Sequence, residues 1–226
     1  MLRPALLTLG LLALPTAAAA AGFPCSKATT PTEKAICANP ALSALDERLA
    51  ATYRATLERL SGASPEEGAA GAAVKADQRA WLRDRDSCGA DVACLRRAYD
   101  GRVAVLSFRT DPTAPPSPVG RYAGQFDHGG FIGIAAIALR NGTVAVSVSG
   151  AEPTAGRWVC DFSGIGRLDD KGRLIVGTPD AEGGGLILVA EEGGGVVIPD
   201  LEPNRAASSY WCGHNGSFIW TYRRAP

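Results

Sequence analysis

The chain has 226 residues, more than one average domain, and its 23 Lys and Arg are matched by 23 Asp and Glu, so no global charge draws it to nucleic acid or an anionic membrane. Hydrophobic residues make up 46% and charged residues 20%, a composition that folds rather than stays disordered. Two histidines leave little material for metal or acid–base chemistry, which disfavours most enzyme classes and any cofactor.

Arg3 precedes an apolar run from Ala5 to Leu14, followed by Pro15 and a string of alanines. A basic start, a short apolar stretch and a small-residue end predict a secretory signal peptide over residues 1–21. The apolar stretch is too short to span a bilayer. The expected product is a periplasmic or secreted protein, soluble after cleavage and not inserted in a membrane. Pro24 stands where lipoprotein processing needs a small residue before Cys25, so no lipid anchor is expected. Export also predicts that the six cysteines form three disulfides, each contributing roughly 2–4 kcal/mol.

Residues 22–109 read as a helical domain. Thr30-Pro31-Thr32-Glu33 offers a cap, a proline at the first helical position and a carboxylate at the third, which together start a helix. Asn39-Pro40 repeats the cap and proline, and Ser64-Pro65-Glu66-Glu67 repeats all three parts. Leu42, Leu45, Leu49, Tyr53, Leu57 and Leu60 recur at three- and four-residue steps and form one apolar stripe. Trp81 and Leu82 anchor a further helix, whose start in the Gly/Ala-rich stretch 68–73 is a weak point. Val92, Leu95, Tyr99, Val103 and Leu106 stripe another, with Asp91 as its cap. Cys25, Cys37, Cys88 and Cys94 clamp these helices in one of three pairings that spacing does not distinguish. Arg79, Arg83 and Asp86 lie at helical spacing and read as exposed charges rather than a contact surface with Arg85.

Residues 110–118 contain DPTAPPSP, four prolines in eight residues, a stiff connector. Residues 119–226 then alternate strand and turn. Candidate strands cover 121–126, 131–140, 143–149, 157–163, 173–178, 186–190, 196–199 and 217–223, separated by Asn141-Gly142, Asp169-Asp170-Lys171-Gly172 and two triple-glycine turns. The fold class is therefore α+β: a disulfide-stapled helical domain followed by a small antiparallel β-barrel or sandwich of about eight strands. Cys160 and Cys212 are the only cysteines of the second half and are expected to pair.

Catalytic motifs are missing from the sequence: it has no G-x-S-x-G elbow, P-loop, H-E-x-x-H or EF-hand loop. Gly164-Ile165-Gly166 begins like a dinucleotide fingerprint, but Asp169 occupies the third glycine position. The carboxylate pairs Asp84/Asp86 and Glu191/Glu192 read as solvated surface, and a catalytic role for His128, in a glycine-rich turn, is no better supported. Asp180, Glu182, Glu191, Glu192, Asp200 and Glu202 form an acidic stretch with no basic residue between 180 and 204. If hairpins gather Asp180, Glu182, Glu191 and Glu192 on one face, that face steers a cationic partner.

The segments FPCSKATTPTEKAIC, NPALSALDERLAATY and QRAWLRDRDSCGADVACLRRAYDGRVAVL resemble the bacterial LprI-type lysozyme-inhibitor family over about residues 23–107. The pattern C-G-x-x-G-S-F-x-x-x-Y-R-R at 212–224 is similar to the β-domain often appended to such chains. The resemblance implies an exported, non-enzymatic protein whose partner is lysozyme, the c-type above all, and whose role is to protect peptidoglycan. Lysozyme works with two carboxylates in a cleft, so an inhibitor needs a rigid projection carrying donors. Gly213, His214, Asn215 and Ser217, braced by Cys212, are the candidates for that projection. The alternative is a carrier that encloses a small apolar ligand in the β-domain.

Overall fold

The computed structural model describes residues 21–61, 68–109, 114–126, 129–178 and 182–225. The expected signal peptide, apart from Ala21, lies outside them, as do 110–113 of the connector, the Ser64 helix start and the His128 turn. Among the described residues no helix is long and apolar enough to cross a membrane.

After a short 3₁₀ turn at Cys25–Lys27 come α1 (Pro31–Ala38), α2 (Pro40–Leu60), α3 (Ala69–Asp86) and α4 (Val92–Leu106). The caps fall where the sequence places them. Thr30 and Glu33 form a complete capping box, the Asn39 side chain accepts from Ala41 and Leu42, and Asp91 accepts from Ala93 and Cys94. Cys25 pairs with Cys37 and Cys88 with Cys94, so each bridge closes a local loop rather than joining distant helices. Of the α4 stripe, Val92 stays 38% exposed because it sits in the first turn beside the cap, beyond the packed layer.

The helices bury a polar centre as well as an apolar one. Tyr99 donates to Asp46 Oδ1 at 2.6 Å, and Arg85 donates to the Tyr99 hydroxyl at 3.1 Å and to Asp86 at 2.7 Å. Burial pushes the Tyr99 phenol up, and its bond to Asp46 adds to the shift. Arg85 is thus an interior residue, whereas Arg79 and Arg83 are exposed.

The second half is a closed eight-stranded antiparallel barrel in which each strand pairs with the next and the last with the first. Its strands are β1 (Gly120–Gln125), β2 (Phe131–Ala138), β3 (Val144–Ala151), β4 (Val159–Leu168), β5 (Leu174–Gly177), β6 (Gly185–Ala190), β7 (Val196–Ile198) and β8 (Trp220–Arg224). Closure removes the exposed sheet edges a sandwich would keep. The interior is filled by Tyr122, Ile132, Val146, Phe162, Leu174, Leu186, Phe218, Tyr222 and their aliphatic neighbours.

A helix the sequence reading lacks, α5 (Glu202–Trp211), lies between β7 and β8 and contributes Ala207 to this interior. Its start carries recognisable signals, Pro203 in the first two positions and Glu202 in the first turn. The Cys160–Cys212 bridge forms as expected and joins the start of β4 to the end of α5.

Strands β2 and β3 are buried on both faces. Ile132, Ile134 and Ala136 point into the barrel, while Ala135, Ile137, Leu139 and Ala145 pack in the core of the helices. The helical layer therefore sits on the outside of the barrel. Polar contacts fix the docking: Ser163 of β4 accepts from Ala70 N at 3.0 Å, and Asp77 of α3 accepts from Arg140 N at 3.0 Å. Gly68 at the cap of α3 has no capping side chain of its own. An added Cβ there would lie 2.4 Å from Ser163 Oγ, so glycine admits the barrel's serine to the helix N-terminus.

Candidate functional site

One end of the barrel collects the exposed aromatic residues and the predicted projection. In an up-and-down barrel the end of β1, the start of β2, the end of β3, the start of β4, the end of β7 and the start of β8 meet at one rim. That rim carries Phe131, Val159, Leu201, Tyr210, Trp211 and Trp220, which are 51%, 50%, 38%, 56%, 39% and 48% exposed. Large apolar groups left in water at one end make this rim the candidate interaction surface.

The rim is rigid because its parts brace one another. Phe126 stacks against Trp220 at 4.9 Å and meets Trp158 edge-on at 5.8 Å. Trp211 donates its indole N–H to Gly183 O at 2.9 Å and meets Phe162 edge-on at 5.9 Å. Trp158 is carried by the loop after β3, which is organised around the buried Glu152. That carboxylate accepts from Thr154 N at 2.9 Å, Ala155 N at 3.1 Å and Arg157 N at 3.2 Å. Burial would raise the Glu152 carboxyl, but these donors and the Arg157 charge outweigh it and hold the group below the ordinary range.

The 212–217 segment lies on this rim, against the start of β4. Gly213 N donates to Val159 O at 2.7 Å and Gly216 N to Gly213 O at 2.9 Å, closing a tight turn. Asn215 adopts the left-handed region, φ 66°, which asparagine tolerates better than most residues. An added Cβ at Gly216 would lie 2.9 Å from Cys212 Cβ and 3.0 Å from Cys160 Sγ, so the turn is pressed onto the disulfide. Gly213, His214 and Asn215 are exposed at its tip. Ser217 is not: half-buried, it accepts from Ile219 N at 3.1 Å and points its hydroxyl at Ser208, 3.4 Å away. Of the four loop candidates the structure brings three to the surface and turns the fourth inward as a brace.

The acidic candidates do not gather. Glu182 precedes β6 at the aromatic end, whereas Glu191 and Glu192 follow it. The six residues of β6 hold the two sites about 20 Å apart, at opposite ends of the barrel. Asp180 lies outside the described residues. Asp200 and Glu202 are both bonded to Arg205, at 2.6 and 3.1 Å, because the first turn of α5 folds that cation back on them. The single negative face expected from the sequence is thus divided, and half of its other charge is neutralised.

A groove of about 1020 Å³ runs along β1, β8 and the end of β7, lined by Gln125, Ile198, Asp200, Trp220, Thr221 and Arg223 among others. It exists because β1 and β8 pair only at Tyr122–Arg224 and Ala123–Arg223 and then splay. No single motif in the sequence announces this end: Trp158 follows β3, Tyr210 and Trp211 close α5, and Trp220 opens β8. Among the described residues no group of three or more His, Cys, Asp or Glu could hold a metal ion.

Residues 25–115 match the family described as lysozyme inhibitor LprI. The proteins named Lipoprotein LprI from Mycobacterium bovis and Mycobacterium tuberculosis are 31% identical over 95 residues, which cover 41% of this chain and 44% of theirs. The chain thus matches less than half the length of these curated relatives. No solved structure matches it.

Proposed function

With the helical region taken as an LprI-family domain, we propose that the protein is exported and binds lysozyme through the aromatic end of its barrel, without chemistry of its own. The observation that carries this reading is the exposed 213–216 turn, held on the Cys160–Cys212 bridge and rimmed by Trp158, Trp220 and Phe126. A rigid turn loses little conformational freedom on binding, and tryptophan and tyrosine supply most binding energy at such surfaces. His214 and Asn215 offer side-chain donors to the acidic cleft of a lysozyme, and Glu182 faces the basic surroundings of that cleft. A packed interior weighs against the carrier alternative, since Phe218, Tyr122 and Tyr222 fill the space an apolar ligand would need.

The test is lysis of bacterial cell walls by a c-type lysozyme with the purified protein added. Inhibition at near-stoichiometric dose is expected; none by any lysozyme class at large excess would overturn the proposal. His214→Ala is expected to weaken binding about tenfold, ~1.4 kcal/mol, with an unchanged melting temperature because the side chain is exposed. Unchanged affinity would remove His214 from the assignment.

A further inference from the structure

Between α4 and the barrel lies a cavity of about 460 Å³ lined by Trp81, Arg97, Gly101, Arg102, Leu139 and Arg140 among others. Its only charged lining groups are three guanidiniums. We propose that it binds a small amphiphilic oxyanion, a carboxylate or phosphate carried on an aromatic or aliphatic body.

Arg102 is 4% exposed and heavily engaged on one side. Its Nη1 donates to Asp77 at 2.5 Å and its Nε to Gln78 at 2.7 Å. Its Nη2 is buried with no partner. A buried donor left unpaired costs about 1–3 kcal/mol, and a bound species that completes the bonding is one way such a group is accounted for. Asp77 already accepts on both oxygens, from Arg102 and from Arg140 N, yet leaves Nη2 without a bond. Arg140 pairs with Asp84 on its other side, and Arg97 is exposed with no charge partner among the described residues. The site therefore keeps positive charge after its internal pairs are counted. Arginine forks match the planar edge of a carboxylate or phosphate.

The rest of the wall specifies the body of the ligand. Trp81, Ala98, Leu139 and the 39% exposed Val105 are apolar. Gly101 leaves the mouth open, since an added Cβ there meets nothing within 4 Å. The volume falls within the roughly 300–1,000 Å³ of small-molecule sites. Because α4 forms one wall and β2 with its following turn the other, a bound anion would bridge the helices and the barrel.

Calorimetric titration with phenyl phosphate and with octanoate tests the proposal, inorganic phosphate and octan-1-ol serving as the head-only and body-only controls. At least one amphiphile is expected to bind more tightly than both controls, and the pair shows whether phosphate or carboxylate is preferred. Arg97→Ala is expected to weaken binding about tenfold, the effect of losing one charge-assisted bond. Gly101→Leu is expected to block the mouth with an unchanged or higher melting temperature, since glycine is a poor helix former. Amphiphiles that bind no better than the controls, or binding that survives both substitutions unchanged, would overturn it.

Discussion

Replacing Asn204 by alanine tests how α5, and with it the aromatic end, is held to the barrel. Strands β6 and β7 pair at Ala190–Val196 and Val189–Val197, and the next hydrogen-bonded pair in that register would join Ile187 to Pro199. Proline has no N–H to donate, so the ladder stops. Asn204, fully buried on α5, completes it. Its Oδ1 accepts from Ile187 N at 2.7 Å, and its Nδ2 donates to Ile187 O at 3.2 Å and Pro199 O at 2.7 Å. Asn204→Ala leaves one buried N–H and two carbonyls without these partners. Orphaning the N–H costs about 1–3 kcal/mol and the carbonyls somewhat less each, since they have other lone pairs. A total loss of about 3 kcal/mol is expected. For a chain of this size that lowers the melting temperature by roughly 6–12 °C. Urea unfolding followed by tryptophan fluorescence measures it, with the exposed Ser209→Ala as a control expected to change stability by less than about 0.5 kcal/mol. A loss under about 1 kcal/mol would refute the reasoning, because it would mean the ladder closes without the asparagine.

Ser163→Ala removes the cap that the barrel supplies to α3, with an expected loss of about 1 kcal/mol and faster amide exchange confined to the first turn of α3; exchange unchanged there would reject cross-capping. Replacing both Cys160 and Cys212 by alanine opens a bridge of sequence separation 52, worth about 4 kcal/mol in the chain-entropy description, and a denaturant midpoint within error of the parent would contradict it. The backbone N–H groups of Thr30 and Thr29 hold the Glu33 carboxyl down to about 2 from 4.5. A carboxylate lowered in the folded state stabilises fully above its unfolded value and loses that contribution as pH falls through the folded one. The deficit of Glu33→Gln in melting temperature should therefore be present at neutral pH and shrink between pH 4.5 and about 2; a deficit independent of pH would count against the capping box.

The sequence carries the local structure of this protein because local structure depends on near neighbours. Thr30, Asn39 and Asp91 start helices through bonds to residues two or three places on. Asn141-Gly142 and Asp169 to Gly172 turn the chain within four residues, and alternating apolar positions mark the strands, so the helical region, eight strands and the Cys160–Cys212 pair were all legible. The boundary near Ser217 was not, since its hydroxyl is drawn into a brace with Ser208 rather than into a strand. Pairing among Cys25, Cys37, Cys88 and Cys94 had three solutions until the 3₁₀ turn and α1 brought Cys25 to Cys37.

Tertiary structure alone decided what lies together. Barrel closure brings Phe126, Trp158 and Trp220 into contact across 94 residues, whereas the separation of Glu182 from Glu191 is local and follows from the length of β6. The unbroken apolar run of β2 carries two burial faces, and only docking assigns Ile137 to the helices and Ile134 to the barrel interior. Both proposed sites are built from residues distant in the chain. Their positions follow from strand register and helix docking, which depend on the summed packing of all elements rather than on any segment's own preference.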